Sequence, residues 1–197
     1  DYRTARRSLD LMFLEWQNRG LNLWTIQEGT QAITAGTSRY ALDGDELDVV
    51  EAFIRTDSGS TSNQSDQMMT RISISQYAHL TNKLEQSKPL QYWIERDPGA
   101  IAVNLWPVPD DAQTYTLVYY YLQRIEDSGS PGTNNVDIPS RFLPCMVAGL
   151  AYQVSLKTPE ATNRSPLLKQ IYDEQWQLAS EADREKASLF MVPGGYD

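Results

Sequence analysis

Histidine and cysteine are the side chains that enzymes most often use as general bases and nucleophiles near neutral pH. The chain has one of each, His79 and Cys145. His79 stands in a short polar segment, without a serine in a nucleophile-elbow pattern and without a second histidine or cysteine at metal-ligand spacing. Cys145 follows Leu143-Pro144 on an apolar helix face, which favours a buried and inert thiol. Neither residue predicts a catalytic site.

Carboxylates offer a second route to chemistry. The densest acidic cluster, Asp43 to Asp48 (DGDELD), lacks the spacing of an EF-hand loop and predicts a charged hairpin turn. Asp110-Asp111 and Glu126-Asp127 stand at predicted strand ends and have the same interpretation. Glycosidase-type carboxylates meet in space and not in sequence, so a carboxylate hydrolase stays an alternative. No phosphate-binding glycine loop is present. We therefore predict a protein that is not an enzyme, with no catalytic residue, no metal ligand and no cofactor.

The overall charge argues against direct nucleic-acid recognition. The chain has 197 residues, a formal charge of −9 and a pI near 4.6. An acidic surface repels phosphates, although such a surface can line a path along which DNA slides. A single cysteine excludes an internal disulfide, and neither a signal peptide nor an apolar run of about 18 residues is present. We expect synthesis in the cytoplasm, no membrane contact, and a start at Asp1 that reflects trimming.

The chain is predicted to open with a helix from Arg3 to Arg19. Its apolar residues at helical spacing form a buried stripe that includes Met12 and Trp16. Leu11 and Leu14 lie off that stripe and indicate a second apolar face. This face contacts a helix of a neighbouring subunit or a helix of its own domain. Leu11, Leu14 and Trp16 are the candidate inter-subunit residues.

The middle of the chain, from Leu21 to Arg124, is predicted to be mostly β-structure. Gly29 and Gly36 separate short runs, and Thr56 to Gln67, which has no apolar residue, is predicted to be a mobile surface loop. Ser75 is the predicted N-cap of a brief helix that runs to Asn82. The predicted strands are 23–26, 31–34, 40–42, 48–55, 71–75, 91–96, 100–106 and 114–123, the last three as a meander.

Two helices complete the pattern, at about 140–156 and 165–189. In the second, Ile171, Tyr172 and Trp176 share the predicted buried face, whereas Glu174 and Glu181 belong to a face that is predicted to be solvated. Strands segregated from helices indicate an α+β fold, with an N-terminal helix, then a β-rich part, then two C-terminal helices. The β-rich domain is predicted to span 21–126, and a flexible connector is predicted at 127–137.

Several stretches, taken together and in order, resemble one protein family. They are LEWQNRG at 14–20, LW at 23–24, SISQY at 73–77, QYWI at 91–94, VNLWPVPD at 103–110, LVYYY at 117–121 and IPSRF at 138–142. The chain from Tyr2 to about Leu189 is similar to the head-to-tail adaptor (tail tubular, or head-completion) proteins of short-tailed bacteriophages.

The resemblance implies a structural protein of the virion neck or tail. Such proteins form a ring, usually of twelve subunits, that docks under the portal protein, continues the DNA channel and supports the tail nozzle and the tail fibres. The family fold is a helical bundle with an inserted β-rich domain, which implies a bundle of 1–20 and 138–190 (an N-terminal helix plus two C-terminal helices) and a C-terminal arm of 191–197. The resemblance further implies that Phe190, Met191, Val192 and Tyr196 belong to an arm that docks on a neighbouring subunit or on the portal.

Two alternative functions remain compatible with the sequence. One is a connector or stopper protein from the neck or tail of another phage. The other, from a different class, is a carbohydrate-binding β-module in which Trp93 and Trp106, on neighbouring predicted strands, stack on a sugar ring. The long C-terminal helical region has no evident use in a sugar-binding module.

Overall fold

A computed structural model describes residues 2–19, 25–42, 44, 46–97, 100–125 and 138–183. The chain forms two compact units. The helical unit consists of residues 1–24 and 126–197, and the β unit consists of residues 25–125. In chain order the elements are α1 (Tyr2–Asn18), β1 (Ile26–Ala32), β2 (Arg39–Ala41), β3 (Glu46–Thr56), β4 (Ser65–Met68), β5 (Thr70–Arg71), α2 (Ile74–Ala78), β6 (Gln91–Asp97), β7 (Ala100–Trp106), β8 (Tyr115–Gln123), α3 (Leu143–Ser155) and α4 (Ser165–Ala182).

The helical unit packs α1 and α4 against α3. Pro144 and Pro166 occupy the first turns of α3 and α4, where a missing backbone N–H costs nothing. Gly149 allows the close packing, because a Cβ at this position would lie 2.4 Å from Met12 Sδ and 2.8 Å from Tyr172 Cε2. The predicted first helix is confirmed to within one residue at each end. The predicted helix at 140–156 divides into a 3₁₀ turn (Ser140–Phe142) followed by α3.

In the described residues, the β unit contains two four-stranded sheets. The strand orders are β1-β8-β3-β4 and β2-β7-β6-β5, and every pairing is antiparallel except that of β5 with β6. One apolar core takes side chains from both sheets, including Ile54 and Leu117 from the first and Val103 and Leu105 from the second. The predicted α+β class, with helices at both ends of the chain and a β-rich insertion, is confirmed.

The predicted meander of the last three strands is wrong. β6 and β7 form a hairpin, but β8 lies in the other sheet, between β1 and β3. The connection from β7 to β8 spans 107–114 and contains Pro107 and Pro109. It is longer than the two to five residues of ordinary hairpin loops, so it can carry the chain from one sheet to the other.

Gly29 was expected to break the chain between two strands, yet it lies inside the continuous strand β1. It faces Tyr119 across the β1–β8 pair. A Cβ at this position would lie 2.4 Å from Tyr119 Cζ, so only glycine leaves room for the ring. A close approach, and not a turn, explains this glycine.

Part of the predicted mobile loop is also a strand. β4 pairs with the end of β3 although every one of its side chains is exposed. Arg55 Nε and Nη2 donate to Asp66 Oδ1 and Oδ2 at 2.8 and 2.7 Å, which joins the two strands side by side. A strand that is held by an exposed ion pair has no alternation of apolar and polar residues, so the sequence does not indicate it.

The brief helix α2 begins earlier than predicted. Ser73, and not Ser75, is its N-cap. Ser73 Oγ accepts a hydrogen bond from the backbone N–H of Gln76 at 3.2 Å, and the side-chain Oε1 of Gln76 accepts one from the backbone N–H of Ser73 at 2.8 Å. This reciprocal capping box ends the extended segment sooner, so the predicted strand at 71–75 reduces to β5.

Candidate interaction surfaces

The two residues with the most reactive side chains do not form a site. His79 is exposed at the C-cap of α2. Cys145 is fully buried in α3, and this burial raises the pKa of its thiol to about 12. The thiol therefore stays protonated at neutral pH and is a poor nucleophile. The prediction of a buried thiol is confirmed.

Two carboxylates of the acidic cluster, Asp48 and Glu46, have partners within the protein. Asp48 Oδ1 lies 3.1 Å from Arg71 Nη2, and Asp48 Oδ2 lies 2.6 Å from Arg96 Nη2. Glu46 is buried, and one of its carboxylate oxygens accepts from the Gly44 amide at 2.8 Å. Asp43 and Asp45 lie outside the described residues. Among the residues that are described, no three histidine, cysteine or carboxylate side chains converge as metal ligands would.

Asp110 has a local structural use. Its Oδ1 accepts from the Tyr115 hydroxyl at 2.9 Å and from the Ala112 amide at 3.2 Å. Burial, with Asp110 as a further contribution, raises the pKa of Tyr115 to about 12. This carboxylate fixes the turn before β8.

The two tryptophans proposed for sugar stacking share one face of the β6–β7 hairpin. Trp93 faces Asn104, and Trp106 lies two residues further along β7. The Trp93 ring packs on Tyr77 with centroids 5.3 Å apart, and Trp106 Nε1 donates to the Asn82 carbonyl at 2.9 Å. Both tryptophans are half-buried. Since α2 and the residues after it already contact both indoles, the pair does not form an open sugar platform.

The interior of the helical unit is an aromatic cluster centred on Trp16. Trp16 is fully buried, and its Nε1 donates to the Tyr172 hydroxyl at 2.8 Å. The Arg19 guanidinium lies over the Tyr172 ring, 5.1 Å from its centroid. The rings around Trp16, at centroid distances of 5.4 to 5.7 Å, are Phe13, Phe142 and Trp176. Trp16 is thus a core residue, and any role at an inter-subunit contact is indirect, through the position of α1.

The opposite side of α1 carries a row that we call the α1 stripe. Its members recur at steps of three or four residues and are all exposed: Arg3, Arg7, Leu11, Leu14 and Asn18. Leu11 and Leu14 are 49% and 42% exposed. The structure therefore places these two predicted contact residues on an outward face.

A second row, the α4 stripe, lies on α4: Leu167, Ile171, Glu174, Leu178 and Glu181. Its three apolar side chains are between 39% and 62% exposed. The sequence interpretation missed this row, because Ile171 was assigned to the buried face and the glutamates indicated a solvated one. The signal was present in the spacing of Leu167, Ile171 and Leu178, which share one face.

The predicted arm residues Phe190, Met191, Val192 and Tyr196 lie outside the described residues, as do the connector 127–137 and the predicted helix beyond residue 183. In the described part of the chain, no helix combines the length and the apolar character needed to cross a bilayer.

Comparison with known proteins identifies the family. No curated protein matches the chain significantly. Residues 4–193 match the family model described as SU10 adaptor protein, which covers nearly the whole chain, including both units. The chain therefore belongs to the SU10 adaptor protein family, a family of bacteriophage structural adaptors.

Proposed function

We propose that the chain is one subunit of a ring that joins the portal to the tail nozzle of a short-tailed phage and continues the DNA channel. As a member of this adaptor family it is a phage structural protein, located in the virion, that interacts with other phage structural proteins. The proposal adds the ring, its twelvefold symmetry, the portal, nozzle and tail fibres as partners, and the neck as the location.

One observation carries the proposal. The helical unit presents apolar side chains in rows on the outward faces of α1 and α4. Scattered exposed leucines are ordinary, whereas rows of them on helix faces mark protein contacts. Among the described residues, no converging metal ligands compete with this interpretation.

The two rows differ in residue type, as a ring requires. A closed ring uses a heterologous interface, in which one surface of each subunit meets a different surface of the next. The α1 stripe carries arginines and the α4 stripe carries glutamates. Two unlike surfaces on one unit therefore support a ring better than a two-fold dimer.

The acidic charge suits a channel protein. A formal charge of −9 per subunit gives a ring with many negative charges, and a lumen of that sign keeps the DNA duplex from adhering. DNA passes through such a ring without specific recognition. A membrane has no part in this arrangement.

The ring proposal is tested by adding the purified chain to DNA-filled heads that carry portals but lack necks. We expect electron microscopy to show a ring of density under the portal, and sedimentation to show the chain bound to the heads. Heads that bind no chain, in the presence of intact portals, would refute the proposal. A ring that forms only on heads of a long-tailed phage would favour a connector or stopper protein. Glycan binding by the isolated chain would favour the sugar-binding module.

The proposed C-terminal arm has its own test. Deletion of Phe190 to Asp197 should leave a folded subunit, by circular dichroism, that no longer joins the portal. A full-length variant with Phe190, Met191 and Val192 changed to serine is the matched control for chain length and should fail in the same way. Wild-type portal binding by the truncated chain would refute the arm.

A further inference from the structure

We infer that neighbouring copies of this chain pair through their helices, with the α1 stripe of one copy lying antiparallel on the α4 stripe of the next. This inference rests on the ring proposed above and assigns its interface. It commits to a second copy of the chain as the occupant of both stripes.

The charges of the two stripes are complementary. Arg3 and Arg7 stand at the start of the α1 stripe, beside a groove of about 500 Å³ that is also lined by Lys157. This basic groove is unexpected in a chain with a formal charge of −9. Glu174 and Glu181 are exposed on the α4 stripe. A carboxylate of the next copy is the group that fits a groove of this sign.

The charged groups at the centre of the pairing lack ionic partners of their own. Within the described ranges, Arg7 forms no ion pair, and the Glu174 carboxylate accepts a hydrogen bond from Gln170 Nε2 at 3.0 Å. Glu181 likewise accepts from Gln177 Nε2 at 3.2 Å. Neutral amides leave each glutamate its full charge, so an arginine from another copy can pair with it.

The spacing of the stripes also matches. In an antiparallel alignment Leu14 faces Leu167, Leu11 faces Ile171, Arg7 faces Glu174, and Arg3 faces Leu178, one turn from Glu181. The steps along the two helices differ by no more than one residue, about 1.5 Å, over roughly 16 Å of helix. Apolar residues thus meet apolar residues at one end. Towards the other end Arg7 meets Glu174, and Arg3 lies one turn from Glu181.

A parallel alignment matches less well. One parallel register brings Arg7 onto Ile171 and Leu11 onto Glu174. The register that keeps Arg7 on Glu174 brings Leu14 onto Glu181 and Arg3 onto Ile171. Because burying a charge without a partner is costly, the charges favour the antiparallel alignment, which has fewer such mismatches.

The two stripes cannot pair within one subunit. Each lies on the side of its helix opposite the buried positions, which are Met12 and Trp16 in α1 and Tyr172 and Ala179 in α4. Both stripes therefore face away from the same core. Pairing between copies then uses one surface of each kind per subunit, which is the pattern that closes into a ring.

A charge exchange tests the pairing. We expect Arg7→Glu and Glu174→Arg each to reduce ring assembly on neckless heads at least tenfold, because each places like charges opposite one another. The double variant Arg7→Glu/Glu174→Arg restores the opposite charges and should recover most of the assembly. Lys169→Glu and Glu160→Arg make the same charge changes at exposed positions outside both stripes and should assemble like the wild type.

The outcomes separate the pairing from the ring. Single variants that assemble normally, or a double variant that stays defective while circular dichroism shows a native fold, would overturn the pairing and leave the ring proposal intact. Single variants that change the melting temperature of the monomer but not the assembly would show that another segment of the same chain covers the stripe, which also overturns it. A wild-type chain that never forms a ring would remove the ring proposal and the pairing together.

Discussion

The substitution Tyr172→Phe removes a single oxygen from the centre of the helical unit. In the wild type, Tyr172 Oη accepts the hydrogen bond of Trp16 Nε1 at 2.8 Å, and both residues are buried. Phenylalanine fills almost the same volume, so the aromatic packing survives. The Trp16 N–H is left without an acceptor and without access to water.

The size of the effect follows from that stranded donor. A buried polar group without a partner costs about 1–3 kcal/mol, and the loss of the buried hydroxyl offsets part of this cost. We therefore expect a loss of about 1–2 kcal/mol in the free energy of unfolding. With a urea dependence of about 2 kcal/mol per molar, the unfolding midpoint falls by about 0.5–1 M.

Urea unfolding followed by circular dichroism at 222 nm measures this shift through the helices. Tyr152→Phe is the matched control, because the Tyr152 ring stacks on Tyr172 at 6.4 Å while its hydroxyl forms no hydrogen bond within the described residues. In a Trp16→Phe background the donor is already gone, so Tyr172→Phe should cost less there. Equal midpoints for Tyr172→Phe and Tyr152→Phe would refute the reasoning.

Two further perturbations test the packing. Gly29→Ala places a methyl group 2.4 Å from Tyr119 Cζ, and we expect the free energy of unfolding, measured with urea, to fall by about 1–3 kcal/mol. The same substitution in a Tyr119→Leu background should cost less stability, because the clashing ring is absent. An equal loss in both backgrounds would contradict the clash. Burial raises the pKa of Tyr115, Cys145 and Tyr172 to about 12, from ordinary values of 10.0, 9.0 and 10.0. The folded state favours the neutral forms of these three side chains. Their contribution to the free energy of unfolding is therefore complete below about pH 9 and is lost as the pH rises towards 12. The melting temperature should fall across that range, and a constant value would contradict it.

Elements with a strong local pattern were predictable from the sequence. The apolar stripe of α1 and the alternation in Ala100 to Trp106 gave their elements to within one residue. β4 was not predictable, because its side chains are all exposed and an Arg55–Asp66 contact joins it to β3. The sheet that β8 joins depends on partners far away in the chain, and no local pattern encodes that choice.

The interaction surface was predictable in part. Leu11 and Leu14 broke the periodicity of α1 and so indicated a second face, which the structure shows to be exposed. The α4 stripe escaped notice because glutamates alternate with its apolar residues, and acidic side chains on a helix usually indicate solvent. The helical spacing of Leu167, Ile171 and Leu178 was the available signal, and their exposure in the structure separates this face from an ordinary hydrophilic one.

The insertion of the β unit between α1 and α3 affects the order in which the protein forms on the ribosome. At about 5–20 residues per second, α1 is synthesised roughly 10 s before α3, and its apolar side needs protection in that interval. Ile26 and Leu122 face each other on β1 and β8, so the folded β unit holds its own entry and exit points side by side. Closing a flexible loop of about 100 residues costs about 4 kcal/mol in entropy. The folded β unit has already brought the ends of this loop together, so most of that cost does not arise when α1 packs on α3. The bundle therefore matures after the β unit, and the proposed pairing of copies through α1 and α4 has to wait until α3 and α4 have been synthesised.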